Sequence, residues 1–388
     1  MAAARFEALG LAATREPFRA SVDAIRRFKL MLHLGGAACA ALTCAAASAT
    51  PALGALIGTA TLAAASLAGR WSIRAERAFD SGRIIESENV VARRAVDATA
   101  AAPVPDALAP RVVFLAHVDS KSMRWPTSVA ASLLIGAVAG LALVAGWCAL
   151  AALHAVPPPG AAAAATAGVV IASAFALGLF NSSGNESPGA MDNASGVAVL
   201  LELAGTLPHD AAFDGADLTF VATGAEEIGL AGAMRWIQRH APECPRGATL
   251  FINFDSVGVG EAIVVMNARG AAPVRGDARV RVGIAQLARC VATEVGIALR
   301  VVPGLLGVGV DTMPVAARGF ATITILGEVL GPASRRFHSR RDTVDHLDEA
   351  GLRRAADFGR AIALAWIDAQ RNARGDAARP AAQARRLP

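Results

Sequence analysis

The chain has 388 residues, of which 54% belong to the class AVILMFWYC and only 18% are charged, and its mean hydropathy is +0.44. Those values exclude a disordered chain, a collagen and a small disulfide scaffold, and they are oily for a purely soluble enzyme. The formal charge of +5 comes with 37 basic residues, among which Lys29 and Lys121 are the only lysines. The basic excess gathers in an arginine-rich N-terminus and in residues 371–388, which read as membrane-flanking and solvated segments rather than a nucleic-acid surface. The five cysteines show no CxxC spacing, so neither a disulfide framework nor a thiolate metal site is expected. Tyrosine is absent.

Residues 1–29 form a basic N-terminal segment, and its stretch 6–28, with apolar residues scattered among arginines, is predicted to lie on a membrane surface. Residues 30–69 and 125–185 contain no Asp, Glu, Lys or Arg, and each run exceeds the roughly 20 residues of one helical crossing. Thr50-Pro51 breaks the first and Pro157-Pro158-Pro159-Gly160 the second, so each reads as a helical hairpin: 30–50 with 52–69, then 129–156 with 161–180. Four crossings are therefore predicted. A signal peptide cleaved near Ala47-Ser48-Ala49 fits less well, because its basic region would be long and a second apolar run follows at once. Arg19, Arg26, Arg27 and Lys29 precede the first hairpin, Arg70, Arg74 and Arg77 follow it, and Lys121 and Arg124 precede the second. The hairpin tips carry no basic residue, which places both termini and all polar sequence in the cytoplasm by the positive-inside rule.

The polar remainder, 71–128 and 182–371, reads as one α/β domain into which the second hairpin, 129–181, is inserted; 372–388 is a flexible basic tail. Strands are predicted over 111–116, 217–223, 249–254, 262–266 and 321–326, alternating with helices over 195–206, 229–240, 278–295 and 349–370. Buried apolar strands separated by amphipathic helices imply a mostly parallel, mixed sheet covered on both faces.

Acidic and histidine residues stand just past the strand ends, where such folds keep their chemistry. His117-Val118-Asp119 follows the first strand, Glu226-Glu227 the second and Asp255 the third, and a loop after the last leads to His338; Gly189 to Gly196 open a helix with Asp192 among them. Singly, each has a plainer role: Asp192 as a helix cap, Asp255 in a turn, the glutamates at a helix start, His338 in a solvated loop. Together, three carboxylates and two histidines at one rim suit Zn²⁺, or Mn²⁺ or Co²⁺.

The series His117-x-Asp119, Gly189-x-x-Asp192-Asn193-x-Ser195-Gly196, Glu226-Glu227-x-Gly229-x-x-Gly232, Asn253-x-Asp255 and His338-Ser339-x-x-Asp342-Thr343 resembles the M28 family of zinc peptidases. The family includes aminopeptidases, glutamate carboxypeptidases and the related glutaminyl cyclases, and the likeness covers roughly residues 89–368. It implies a zinc-exopeptidase-like fold with two co-catalytic zinc ions acting on short peptides. His117 and Asp255 would hold one zinc, Glu227 and His338 the other, and Asp192 would bridge them. Glu226 would be the general base, and Asp119 would orient His117. No separate organic cofactor is implied.

Three features depart from the family pattern. Val118 stands where relatives often have tyrosine, and with no tyrosine in the chain an oxyanion donor must be a metal ion, a backbone N–H, or Arg340 or Arg341. A hairpin separates His117 from Asp192, which lie 75 positions apart. Many relatives act outside the cytoplasm, whereas the charge rule puts this domain inside. Asp311 resembles a position near the substrate pocket, with a plain turn as its other reading; Asp342 would bond near His338 or cap the last helix, and His346 would begin that helix. The rival readings are a one-zinc acyltransferase like the glutaminyl cyclases, a non-catalytic membrane scaffold or receptor on the same fold, and a transporter. The last has no charged residue within the apolar segments to mark a path.

Overall fold

The computed structural model describes residues 1–72, 81–94, 109–274, 277–304, 308–329 and 332–384. Arg74, Arg77 and the last four tail residues lie outside the described residues. In chain order the elements begin with α1 (Ala2–Ala8), β1 (Ala13–Ser21), α2 (Val22–Ala47), α3 (Pro51–Ser72) and β2 (Ile84–Arg94). There follow β3 (Arg111–His117), β4 (Ser122–Met123), α4 (Thr127–Ala152), α5 (Ala161–Leu177) and β5 (Ser183–Gly184). The central part comprises α6 (Ser195–Thr206), β6 (Asp217–Thr223), α7 (Ala231–His240), β7 (Thr249–Phe254) and β8 (Ile263–Arg269). The last elements are β9 (Ala271–Val274), β10 (Asp277–Gly283), α8 (Ile284–Glu294), β11 (Leu299–Val301), α9 (Thr312–Ala316), β12 (Ala321–Leu326) and α10 (Glu349–Ala384).

The chain divides into two units. The first comprises Met1–Ala20, Glu86–Ser120 and Ser187–Pro388. It is built on an eight-stranded mixed sheet of order β1-β2-β6-β3-β7-β12-β8-β11. Strands β6, β3, β7 and β12 run parallel, with His117 opposite Thr223. β2 and β8 run antiparallel to their inner neighbours. Every residue of β3, β6, β7 and β12 is buried, because successive side chains alternate between two covered faces. Val112, Phe114 and Ala116 join α6, α8 and α10 through Leu200, Val291, Phe358 and Trp366. Val113 and Leu115 join α7 and α9 through Trp236, Ile237 and Val315.

Three sequence expectations are corrected in this unit. The N-terminal stretch predicted for a membrane surface instead forms α1 and the sheet-edge strand β1, and its apolar residues Phe6, Phe18 and Ala20 are buried in the protein. The helix predicted over 278–295 is a strand, β10, followed by α8: Arg279-Val280-Arg281-Val282 alternates with period two and pairs antiparallel with β9. The last helix extends beyond its predicted end, to Ala384.

The second unit comprises Ser21–Ile85 and Lys121–Glu186 and consists of α2, α3, α4 and α5 with the short β4–β5 pair. Among the described residues, Val22–Ala47, Thr127–Ala152 and Ala161–Phe180 are long and apolar enough to cross a membrane, while the apolar helix Pro51–Leu67 is shorter. Small residues bring the helices close. A Cβ on Gly58 would lie 2.6 Å from the Ala145 methyl, and one on Gly168 would lie 3.0 Å from Cys44. Leu42, Leu56, Leu143 and Val169 point outward. The hydroxyls of Thr43, Thr61 and Thr166 donate to carbonyls four residues earlier in their own helices, so none needs water.

Candidate metal centre

The donors gather at the carboxyl edge of the parallel strands. His117 ends β3 with its side chain only 1% exposed. Its Nε2 lies 3.1 Å from one Asp192 oxygen and 3.9 Å from Asp255. The other Asp192 oxygen lies 2.9 Å from His338 Nε2, which is in turn 3.2 Å from Glu227. Each imidazole thus faces a different oxygen of one carboxylate. Two donor groups result, His117 with Glu226 and Asp255, and Asp192 with Glu227 and His338, each with ligand atoms within 4.8 Å of one another.

Local sequence explains why these side chains converge. Gly189 turns the chain with a left-handed φ of 70°, and a Cβ there would lie 2.7 Å from that of Ser120. Asn193 donates to the Phe254 carbonyl, and its Oδ1 accepts from the Gly196 and Ser256 N–H groups. Ser195 Oγ donates to the Met191 carbonyl and accepts from Val257 N–H. The loop carrying Asp192 is therefore laced to the segment carrying Asp255. Gly196 permits the approach, since a Cβ would stand 2.4 Å from the Phe254 carbonyl oxygen. The peptide bond between Asp192 and Asn193 is cis.

Asp119 meets His117 through its main chain: His117 Nδ1 lies 3.0 Å from the Asp119 carbonyl oxygen and 3.8 Å from the carboxylate. The carboxylate instead accepts the N–H groups of Glu226 and Glu227, each at 3.0 Å. Asn89 on β2 clamps the same loop, accepting from Gly224 N–H and donating to the Gly232 carbonyl. Asp342 accepts from Met191 and Asp192 N–H at 2.6 and 3.1 Å. Sequence reasoning gave Asn89 no role and left Asp342 between two; only the fold shows either contact. Asp311 is fully buried and accepts a hydrogen bond from the Thr223 hydroxyl. His346 lies in a short 3-10 turn, Val344–His346, ahead of α10. Arg340 and Arg341 are exposed.

Charge in this pocket is lopsided. Burial pushes Glu226 well above the ordinary carboxylate range, with Glu227, Asp311 and Asp255 adding to it against His117. Burial likewise lifts Asp311 to about 7, and it raises Asp119 and Asp342. Burial also penalises a charged His117 and a charged Asp192. The surrounding carboxylates, Glu226 foremost, nevertheless hold His117 well above its ordinary value, and His117 and His338 hold Asp192 far below its own. Buried carboxylates in such excess call for bound cations, and imidazole nitrogen with carboxylate oxygen is the donor chemistry of zinc. The residues present fit that metal.

A family model described as peptidase family M28 matches residues 98–363. A probable lipoprotein aminopeptidase, LpqL, of Mycobacterium tuberculosis is 28% identical over 43% of this chain and 37% of its own length. Among solved structures, a zinc aminopeptidase from Bacillus subtilis is 18% identical over 72% of this chain and 51% of its own, with a TM-score of 0.43. A glutaminyl cyclase from Fimbriiglobus ruber is 12% identical over 95% and 85%, with a TM-score of 0.46. The chain spans little more than a third of the curated relative's length and about half of the Bacillus protein's.

Proposed function

Because the chain belongs to peptidase family M28, we propose that it is a membrane-anchored exopeptidase that uses two zinc ions to remove residues from the amino end of short peptides. The observation that carries the reading is Asp192, each of whose oxygens faces a histidine of a different donor group. In this reading His117 and Asp255 would hold one zinc and Glu227 and His338 the other, with Asp192 available to both. A full donor set for two ions favours peptidase chemistry over one-zinc acyl transfer. Bound zinc would polarise the scissile carbonyl and lower the pKa of the attacking water.

The chain's own residues supply the proton transfers. Glu226, buried among the donor residues, takes a proton from the attacking water and returns it to the leaving amine. Asp119 fixes the Glu226–Glu227 backbone so that one glutamate serves as ligand and its neighbour as base. The apolar helices α2 to α5 serve as the membrane anchor in this reading, and the basic residues at their polar ends favour a cytoplasmic catalytic unit by the positive-inside rule.

Replacement of Glu226 by Gln tests the assignment. Hydrolysis of an aminoacyl p-nitroanilide should fall by about 10²–10⁴-fold, with zinc content unchanged. A variant that retains full activity identifies the wrong base.

A further inference from the structure

We propose that the substrates of this site are peptides tethered to the same bilayer, presenting their amino ends a short reach from the membrane. The inference rests on the peptidase and membrane readings above and specifies the substrate class.

The chain passes between its two units four times, at residues 20–21, 85–86, 120–121 and 186–187. All four passages leave the α/β unit at the sheet edge that carries the metal donors. The third begins three residues after His117, at the carboxyl end of β3. The fourth returns at Ser187, whose carbonyl accepts from Ser120 Oγ at 3.3 Å, five residues before Asp192. The second enters β2, which runs antiparallel to β6 with Val90 opposite Ala222, so the start of β2 lies beyond the carboxyl end of β6. A Cβ on Gly224, next after β6, would stand 2.5 Å from the Glu88 carbonyl oxygen. The first passage ends β1, whose sequel Val22 donates its N–H to the Arg83 carbonyl just ahead of β2.

The connections between the two units are short in sequence. Asp119, which holds the glutamate loop, is eight residues from the start of α4 at Thr127, a span of at most about 29 Å when fully extended. β1 runs into α2 with no linker at all. Between His117 and Asp119, Val118 exposes 51% of its surface, an apolar side chain on the loop that leads toward the third passage. A freely diffusing peptide gains nothing from this tethering. A peptide held in the same bilayer gains an effective concentration in the millimolar range.

The test uses the full-length, zinc-loaded protein in liposomes and two peptides of identical sequence, one of them palmitoylated about eight residues from its amino end, a spacer of matching reach. At equal total concentration the palmitoylated peptide in the same vesicles should be cleaved at least about tenfold faster than its soluble twin. Dissolving the vesicles in excess detergent should erase the difference. Equal rates in liposomes, with the soluble peptide hydrolysed, overturn the proposal and leave the peptidase reading standing. An advantage that persists in detergent also overturns it, since it then reflects a local apolar preference. Hydrolysis of neither peptide removes the peptidase reading, and the proposal with it.

Discussion

Asp119, Asp192, Glu226, Glu227, Asp255, Asp311 and Asp342 crowd a mostly buried pocket that holds two imidazoles, and most of the loop geometry there serves to hold carboxylates together. Asp342 illustrates how. Its two oxygens each accept one backbone N–H from the segment that carries Asp192. Asparagine there keeps one acceptor and leaves one buried N–H unmatched. Asp342→Asn should therefore weaken zinc binding by about 10–100-fold, read by chelator competition; unchanged affinity would show that Asp342 does not position Asp192. That His117, Asp192, Glu226, Glu227, Asp255 and His338 gather in two groups was legible in the sequence, because most of them stand just past the end of a buried strand. The contacts that aim them were not. Asn89 reaches across 135 positions to Gly224 and Asp342 across 151 to Met191, separations at which no local pattern operates.

At the scale of elements, the strands that carry the site were readable for the reason they are stable. Runs such as Asp217–Thr223 and Ala321–Leu326 are buried on both faces and so are nearly continuous apolar sequence. The outer strands were not readable in this way: β1 (ATREPFRAS) and β2 (IIESENVVARR) mix charge with apolar residues because much of each strand faces solvent. β1 is held partly by ion pairs, and these make its docking depend on pH. Glu16 lies 2.8 Å from His240 Nε2 and 3.3 Å from Arg239, and Glu243 lies 3.2 Å from His240 Nδ1. Partial burial opposes charge on His240, but Glu16 and Glu243 outweigh it and raise its pKa in the folded state. The stabilisation from a raised histidine pKa is complete below the unfolded value near 6.5 and is lost as pH rises through the folded value. His240→Ala should therefore cost more stability at pH 6 than at pH 9, by no more than about 1 kcal/mol at this partly exposed site. Parallel denaturation of the two proteins at both pH values measures the difference. An equal cost at both would show that the histidine charge does not hold β1.

For the whole molecule, the two units differ in what they expose. The α/β unit covers both sheet faces, while the helical unit turns leucine and valine outward and pairs the Thr43 and Thr61 hydroxyls within their own helices. The flanking arginines and lysines argue for the cytoplasmic side, and a reporter fused after Pro388 should give a cytoplasmic signal; a periplasmic signal would reverse the topology. The helical hairpins were legible as long uncharged runs broken by proline. The docking of the basic N-terminal stretch was not, because an edge strand with arginines and a membrane-surface segment share one composition. The two-metal centre is tested by the metal content of the detergent-purified, zinc-resupplied protein, with Asp192→Ala alongside. About two zinc ions per chain are expected in the native protein and sharply fewer in the variant. One zinc per chain, or a count that Asp192→Ala leaves unchanged, would contradict it.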